Sequence, residues 1–197
     1  MLACTKGDKD VVKLLLDHPD ANIELNARTN NNQWTAFMYA CHKGHKDVVQ
    51  LLLDHSGPNI ELNAKDAFVR VTAFMISCEK GHKDIVKLLL DHPNSNIDLN
   101  AKDQRTYTAF MMACKEGHKG VVQVLLDYCD RNIEYNATNN VGWTALTFAC
   151  FNGHKGVVQL LLDHSNPIIE VNAMNIFGQT ALMIASQEGH QDIAQLI

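Results

Sequence analysis

The sequence predicts an all-α repeat solenoid of stacked helix-turn-helix units with short β-hairpin-like fingers. Three landmarks recurring in constant phase predict it. The string TAFM starts at Thr35, Thr72 and Thr108, and TAL at Thr144 and Thr180, at spacings of 37, 36, 36 and 36. A glycine follows each threonine nine residues later, at Gly44, Gly81, Gly117, Gly153 and Gly189, and Gly7 fits the same frame. The pair Asn-Ala stands at 26–27, 63–64, 100–101, 136–137 and 172–173. The 197 residues therefore read as a single repeat domain of about six units, the first and last incomplete: 1–27, 28–64, 65–101, 102–137, 138–173 and 174–197.

Each element of the unit follows from its residues. Thr35 is placed to cap a helix, because its hydroxyl accepts an orphan amide of the first turn. A short first helix follows, with Phe37, Ala40 and Cys41 at i, i+3, i+4 spacing on one face. Gly44 takes the left-handed conformation that ends it. A second helix runs through Lys46 to Leu53, and its nearly continuous apolar stripe implies burial on more than one side. Then come a polar stretch, an Ile-Glu-Leu-Asn-Ala segment with strand-like alternation at 60–64, and a variable loop into the next threonine. Helices of about eight to ten residues are marginal alone, because nucleation is costly. Each unit must bury its stripe against its neighbours, so the expected core is a linear stack rather than a single globule.

The strings TAFMYACHKGHKDVVQLLLDH at 35–55 and ELNA at 61–64 resemble the ankyrin repeat. That family's pattern is roughly T-P-L-H-x-A-A-x-x-G-H-x-x-V-V-x-L-L-L, ending in N-A. The resemblance runs in phase over all 197 residues, with departures. The family's proline is Ala36, Ala73, Ala109, Ala145 and Ala181, and its histidine is Met38, Met75, Met111, Thr147 and Met183. These losses imply first helices less rigidly ordered at their start. The family period is about 33 residues, and the extra residues here follow the second helix, around Pro19-Asp20-Ala21, Ser56-Gly57-Pro58 and Pro93-Asn94-Ser95. The resemblance implies a curved solenoid whose inner helices and fingers form a concave face, with outer helices behind. It implies a binder of other proteins without characteristic catalytic residues. It also makes Asn26, Asn63, Asn100, Asn136 and Asn172 candidates for hydroxylation.

Composition narrows the function classes. Lys plus Arg is 17 and Asp plus Glu is 22, a net charge of −5, which argues against non-specific nucleic-acid binding. No apolar run approaches the ~18 residues of a membrane span, and the start, MLACTKGDKDVV, is not a secretory signal. Cys4, Cys41, Cys78, Cys114 and Cys150 share one slot in successive units. Stacked units lie about 10 Å apart, too far for a disulfide. Unpaired thiols fit a reducing compartment, so the expected location is the cytoplasm, with the nucleus as the other option.

Cys41 and His45, Cys78 and His82, Cys114 and His118, and Cys150 and His154 form Cys-x-x-x-His, a spacing that suits zinc on one continuous helix. A helix-ending glycine divides every pair, and the cysteine holds a small-residue slot, so these read as buried structural thiols. A site repeated in each unit is also unlike an enzyme, which needs one asymmetric constellation. His45, His82, His118, His154 and His190 follow the glycine, while His18, His55, His92 and His164 end the second helix. A histidine at a helix C-terminus favours the dipole there. No metal, cofactor, catalytic residue or small-molecule substrate is expected. The sequon Asn136-Ala137-Thr138 contains a landmark asparagine and reads as structural.

Specificity is expected where the copies differ. Aromatics precede the capping threonine at Trp34, Tyr107 and Trp143, with Val71 and Gln179 in the other copies. Such a slot serves either as an interface hot spot or as finger packing. The two residues before each glycine also change: Thr5-Lys6, His42-Lys43, Glu79-Lys80, Lys115-Glu116, Phe151-Asn152 and Gln187-Glu188. So do the finger loops 28–34, 65–71, 102–107, 138–143 and 174–179. By the resemblance, these slots look onto the concave side. Lys6, Arg28, Lys43, Lys65, Arg70 and Lys80 make its N-terminal half basic, and Val141, Trp143, Phe151 and Asn152 make its C-terminal half more apolar.

Neither end has the polar capping repeat that stacks usually require, so the expectation is a segment of a longer array. The expected function is a non-enzymatic interaction module, holding a partner protein or peptide on the concave face, with no nucleic-acid or membrane partner. The alternatives are a segment of a larger enzyme or ubiquitin-ligase adaptor with its activity elsewhere, and a spacer in a longer repeat array.

Overall fold

The computed structural model describes residues 1–18, 23–56, 60–93, 96–128, 132–164 and 168–197. The extra residues expected around 19–21, 57–58 and 94–95 lie outside these, as does Cys129. The helices alternate as first and second members of pairs: α1 (Leu2–Lys6), α2 (Lys9–Asp17), α3 (Ala36–Lys43), α4 (Lys46–Ser56), α5 (Ala73–Glu79), α6 (Lys83–Asp91), α7 (Ala109–Lys115), α8 (Lys119–Asp127), α9 (Ala145–Phe151), α10 (Lys155–Asp163), α11 (Ala181–Gln187) and α12 (Gln191–Ala194). No strand occurs among the described residues. The fold is all-α and repetitive, of the solenoid class.

The threonines cap as their sequence position predicts. Thr35, Thr72, Thr108, Thr144 and Thr180 each accept the amide three residues on, at 3.2–3.4 Å. The glycines that follow the first helices have φ between 73° and 81°, the left-handed region that only glycine enters without steric cost. The second helices are held by packing. Val48, Val49, Leu52 and Leu53 of α4 are all buried, as are Ile85, Val86, Leu89 and Leu90 of α6. Each such side chain contributes about 1.5–3 kcal/mol relative to exposure, which offsets the nucleation cost of so short a helix.

The chain divides into two units, Met1–Ser77 with His82–Asp98, and Cys78–Gly81 with Leu99–Ile197. In the first, α1 packs on α3, α2 on α4, and α4 on α6. In the second, α7 packs on α9 and α9 on α11, while α8 packs on α10 and α10 on α12. First helices thus stack on first helices within a unit, and second on second.

One expectation needs correction. The Ile-Glu-Leu-Asn-Ala segment is not strand-like but turns at Leu62-Asn63, closed by the Ala64 amide on the Glu61 carbonyl at 3.1 Å. The same closure joins Ala27 to Glu24 and Ala137 to Glu134. The alternation arises because the turn buries its apolar residues, Ile60 and Leu62, while turning its asparagine toward the next repeat.

Candidate functional site

Two ladders of side chains join successive repeats. The first uses the histidine after each glycine. His45, His82, His118, His154 and His190 stand at the start of the second helices, and their rings reach back to the preceding repeat. The Nε2 atoms lie 2.8–3.2 Å from the carbonyls of Thr5, His42, Glu79, Lys115 and Phe151. A carbonyl only accepts, so Nε2 carries the proton and donates. The ring also lies against the preceding glycine: a Cβ on Gly7, Gly44, Gly81, Gly117 or Gly153 would come within 2.6–2.7 Å of it. The sequence reading gave histidines a role at their own helix C-terminus. These five instead cap the previous repeat's first helix. In each Cys-x-x-x-His pair the histidine Nε2 is engaged by a carbonyl of the preceding repeat. No group of three or more metal-binding side chains occurs among the described residues.

The second ladder uses the landmark asparagines. Asn26, Asn63, Asn100 and Asn136 accept the amides of Glu61, Asp98, Glu134 and Glu170 at 2.8–2.9 Å. Asn63, Asn100 and Asn136 also donate to the carbonyls of Asn96, Asn132 and Ile168. Both polar atoms of the sequon residue Asn136 are thereby engaged within the fold.

Each finger closes with one backbone bond. The amides of Thr29, Asp66, Asp103, Asn139 and Asn175 reach the carbonyls of Trp34, Val71, Tyr107, Trp143 and Gln179 at 3.0–3.1 Å. The same five residues organise the tip through their side chains. Asp66 Oδ1 accepts from Val71 N at 2.8 Å, Asp103 from Tyr107 N at 2.7 Å, Asn139 from Trp143 N at 2.8 Å and Asn175 from Gln179 N at 2.9 Å; Thr29 Oγ1 accepts from Trp34 N at 3.1 Å. Sequence reasoning missed these residues. The available signal was an Asp, Asn or Thr two positions after every Asn-Ala pair, the residue types whose side chains bond their own backbone in turns. Burial pushes the Asp103 carboxyl above the usual carboxylate range, against the opposing pull of the Tyr107 and Arg105 amides.

The side chains singled out from the sequence fall in the two units as follows. In the first, Trp34 is half-buried, with its ring centroid 5.1 Å from both Tyr39 and His42; Lys43 is exposed, and Val71 is only 7% exposed. In the second, Tyr107 meets Phe148 edge-on at 4.9 Å, and Trp143 lies 5.1 Å from Phe148 and from Phe151. Phe151 and Asn152 are exposed, and Asn152 Nδ2 donates to the Phe148 carbonyl at 2.9 Å. Glu79 lies 3.6 Å from Lys80. Lys115 pairs with Glu116, and its hydrogen bond holds the Glu116 carboxyl below the usual range. Gln187 accepts from Gln179 Nε2 at 2.9 Å, and Glu188 is exposed.

The split into a basic and an apolar half is less clean than the sequence reading has it. Arg28 is held internally, donating to the Lys65 carbonyl and the Glu61 carboxylate, each at 3.1 Å. In the same unit Phe68 and Val69 stand 65% and 43% exposed beside Arg70. The thiols are buried: Cys41 and Cys150 are pushed up to about 12 by desolvation, and Cys78 and Cys114 still higher.

A family model of ankyrin repeats, three copies long, matches residues 1–66, 58–139 and 129–197. The chain belongs to the ankyrin-repeat family. No curated protein matches it. The ankyrin fold accounts for both ladders: its units have no separate core, so each fastens to the next through the same atoms. Members of this family are generally protein-interaction modules and typically not enzymes. No helix among the described residues is long and apolar enough to cross a membrane.

Proposed function

We propose that this chain is a non-enzymatic module that holds a partner protein or peptide on the face made by its first helices and fingers. One observation carries the reading. Thr5, His42, Glu79, Lys115 and Phe151, each two before a glycine, all lend their carbonyls to the histidine ladder, yet their side chains differ from copy to copy. The backbone is committed to the framework while the identity of the side chain varies, which is the pattern expected of a recognition surface. The contact set is Trp34, His42, Lys43, Glu79, Lys80, Tyr107, Lys115, Glu116, Trp143, Phe151, Asn152, Gln187 and Glu188; Val71, expected in this set from its slot, is buried and serves finger packing instead. The net charge of −5 disfavours nucleic acid as the ligand. Five buried free thiols among the described residues support a reducing cytoplasmic or nuclear setting.

The test is a quantitative pull-down from a lysate of the source organism. The bait is residues 1–197, compared with a variant changed at Lys43, Lys80, Trp143, Phe151 and Asn152, with circular dichroism as the folding control. A partner kept by the first and lost by the second supports the reading. Partners held equally by both move the site elsewhere on the surface, and no partner at all favours a spacer.

A further inference from the structure

We infer that the finger tip Phe68-Val69-Arg70 is a preformed anchor for a peptide segment that places acidic residues beside apolar ones; this rests on the interaction-module reading above. The tip is apolar and open, with Phe68 65% and Val69 43% exposed. It is also rigidly held. The Asp66 carboxylate is buried and receives the amides of Phe68, Val69 and Val71 at 3.4, 3.5 and 2.8 Å. The Ala67 amide donates to the Asn32 carbonyl of the preceding finger at 3.1 Å. Arg70 completes the tip at φ 62°, a left-handed conformation that is costly for any residue with a Cβ. A glycine would relieve that cost, and an exposed arginine stands there instead.

Charge decides the class of ligand. The fingers 28–34 and 65–71 carry Arg28, Lys65 and Arg70 against a single acid, Asp66, whose carboxylate is turned inward onto backbone amides. Arg28 is neutralised by Glu61, whereas Arg70, Lys43 and Lys6 have no ion-pair partner among the described residues. In the same unit the acids Asp10, Asp47 and Asp84 belong to the first turns of second helices and not to the finger segments. An exposed aromatic and a β-branched residue next to a free guanidinium fit an apolar side chain flanked by a carboxylate. A nucleic acid would supply the charge but would not match Val69, so a peptide is the favoured ligand.

The test pans a phage-displayed library of random linear peptides against the 197-residue chain, then measures one enriched peptide against variants. Enriched sequences are expected to set Asp or Glu next to Leu, Ile, Phe or Trp. Phe68→Ser and Arg70→Gly are each expected to weaken binding on the order of tenfold, and added salt to weaken it further. Arg70→Gly also relieves the backbone, so its melting temperature should hold or rise, separating lost recognition from lost folding. Enrichment without acidic residues, an empty selection, or binding unchanged in both variants overturns the inference. Preferential binding of single-stranded polyuridylate over the peptide overturns it as well. Peptides that survive both variants but fail with Trp143→Ala overturn it while leaving the broader interaction reading intact.

Discussion

The fingers at 28–34, 65–71 and 102–107 carry five cations and hold Gln33, Arg70 and Thr106 at φ 60–63°; those at 138–143 and 174–179 carry no charge and hold Gly142 and Gly178 at φ 81° and 73°. All five share one closing backbone bond and one side-chain acceptor at its start. The backbone demand is therefore constant, and what varies is whether the sequence meets it with glycine. An L-residue in that region costs roughly 1–2 kcal/mol. Three successive fingers bear this strain, and they are also the charged ones. Observed strain of this kind is a pointer to function, so the earlier fingers are the first place to test the proposed contacts.

The largest expected effect tests whether the framework beneath both groups is the same. Cys41 belongs to the helix that follows an early finger and Cys150 to the helix that follows a late one, and burial pushes both thiols up to about 12. Raised from an ordinary 9.0, each should be alkylated at pH 8 about a thousandfold more slowly than a free thiol, since only the thiolate reacts. Peptide mapping after timed iodoacetamide treatment reads each site. Rapid labelling of one and not the other would break the comparison at its base.

Glycine substitutions come next. A Cβ on Gly142 would sit 2.8 Å from the Asn175 Cα, whereas one on Gly178 meets nothing within 4 Å. Gly178→Ala should cost about 1 kcal/mol from conformation alone, and Gly142→Ala about 2 kcal/mol or more, because backbone must also move. Urea unfolding of the two variants gives the difference. Equal costs would mean that the late fingers are not packed on one another.

The histidine ladder should matter equally in both halves. His82→Ala and His154→Ala each remove one donor to a helix-terminal carbonyl, at 3.0 and 2.8 Å, and should each cost about 1–2 kcal/mol. A marked inequality would show that the repeats are not equivalent supports for their fingers.

Relief of strain gives the smaller, opposite change. Thr106→Gly should stabilise by about 0.5–1 kcal/mol, the αL penalty less the entropy of a glycine. Gln33→Gly should gain less, because it lacks a β-branch. Smallest of all is Asp103→Asn, which installs the residue found at Asn139 and Asn175 and keeps both accepted amides. The Asp103 carboxyl is raised on folding, so its stabilising contribution is full below its unfolded pKa and is lost as pH rises through the folded value. Asp103→Asn should leave stability at pH 4 nearly unchanged and flatten its decline toward pH 7, as read by thermal melts across that range.

Much of the fold was legible because a repeat states its rules several times. The threonine caps, the left-handed glycines and the buried second helices follow from residue type and spacing, local properties that need no partner. The fingers were legible as variable, and Trp34, Tyr107 and Trp143 as marked positions. The direction of the histidines was not, because whether a ring serves its own helix or its neighbour depends on what lies across the stack. The asparagine turn reads as strand-like in the sequence because its buried Ile60 and Leu62 alternate with outward residues, and the amide that its asparagine accepts lies in the next repeat. The finger acceptors Asp66, Asp103, Asn139 and Asn175 are marked in the sequence only by their spacing, two positions after each Asn-Ala pair.

By itself the sequence determined the repeat period, the start and end of the first helices and the buried stripe of the second, since capping, helix termination and apolar periodicity are decided by the residue and its near neighbours. Only tertiary structure decided that Arg28 is consumed by Glu61, that Val71 turns inward, and that Phe68, Val69 and Arg70 are presented together on a braced tip. Surface availability is what remains after through-space partners have been satisfied, and a linear string does not list those partners.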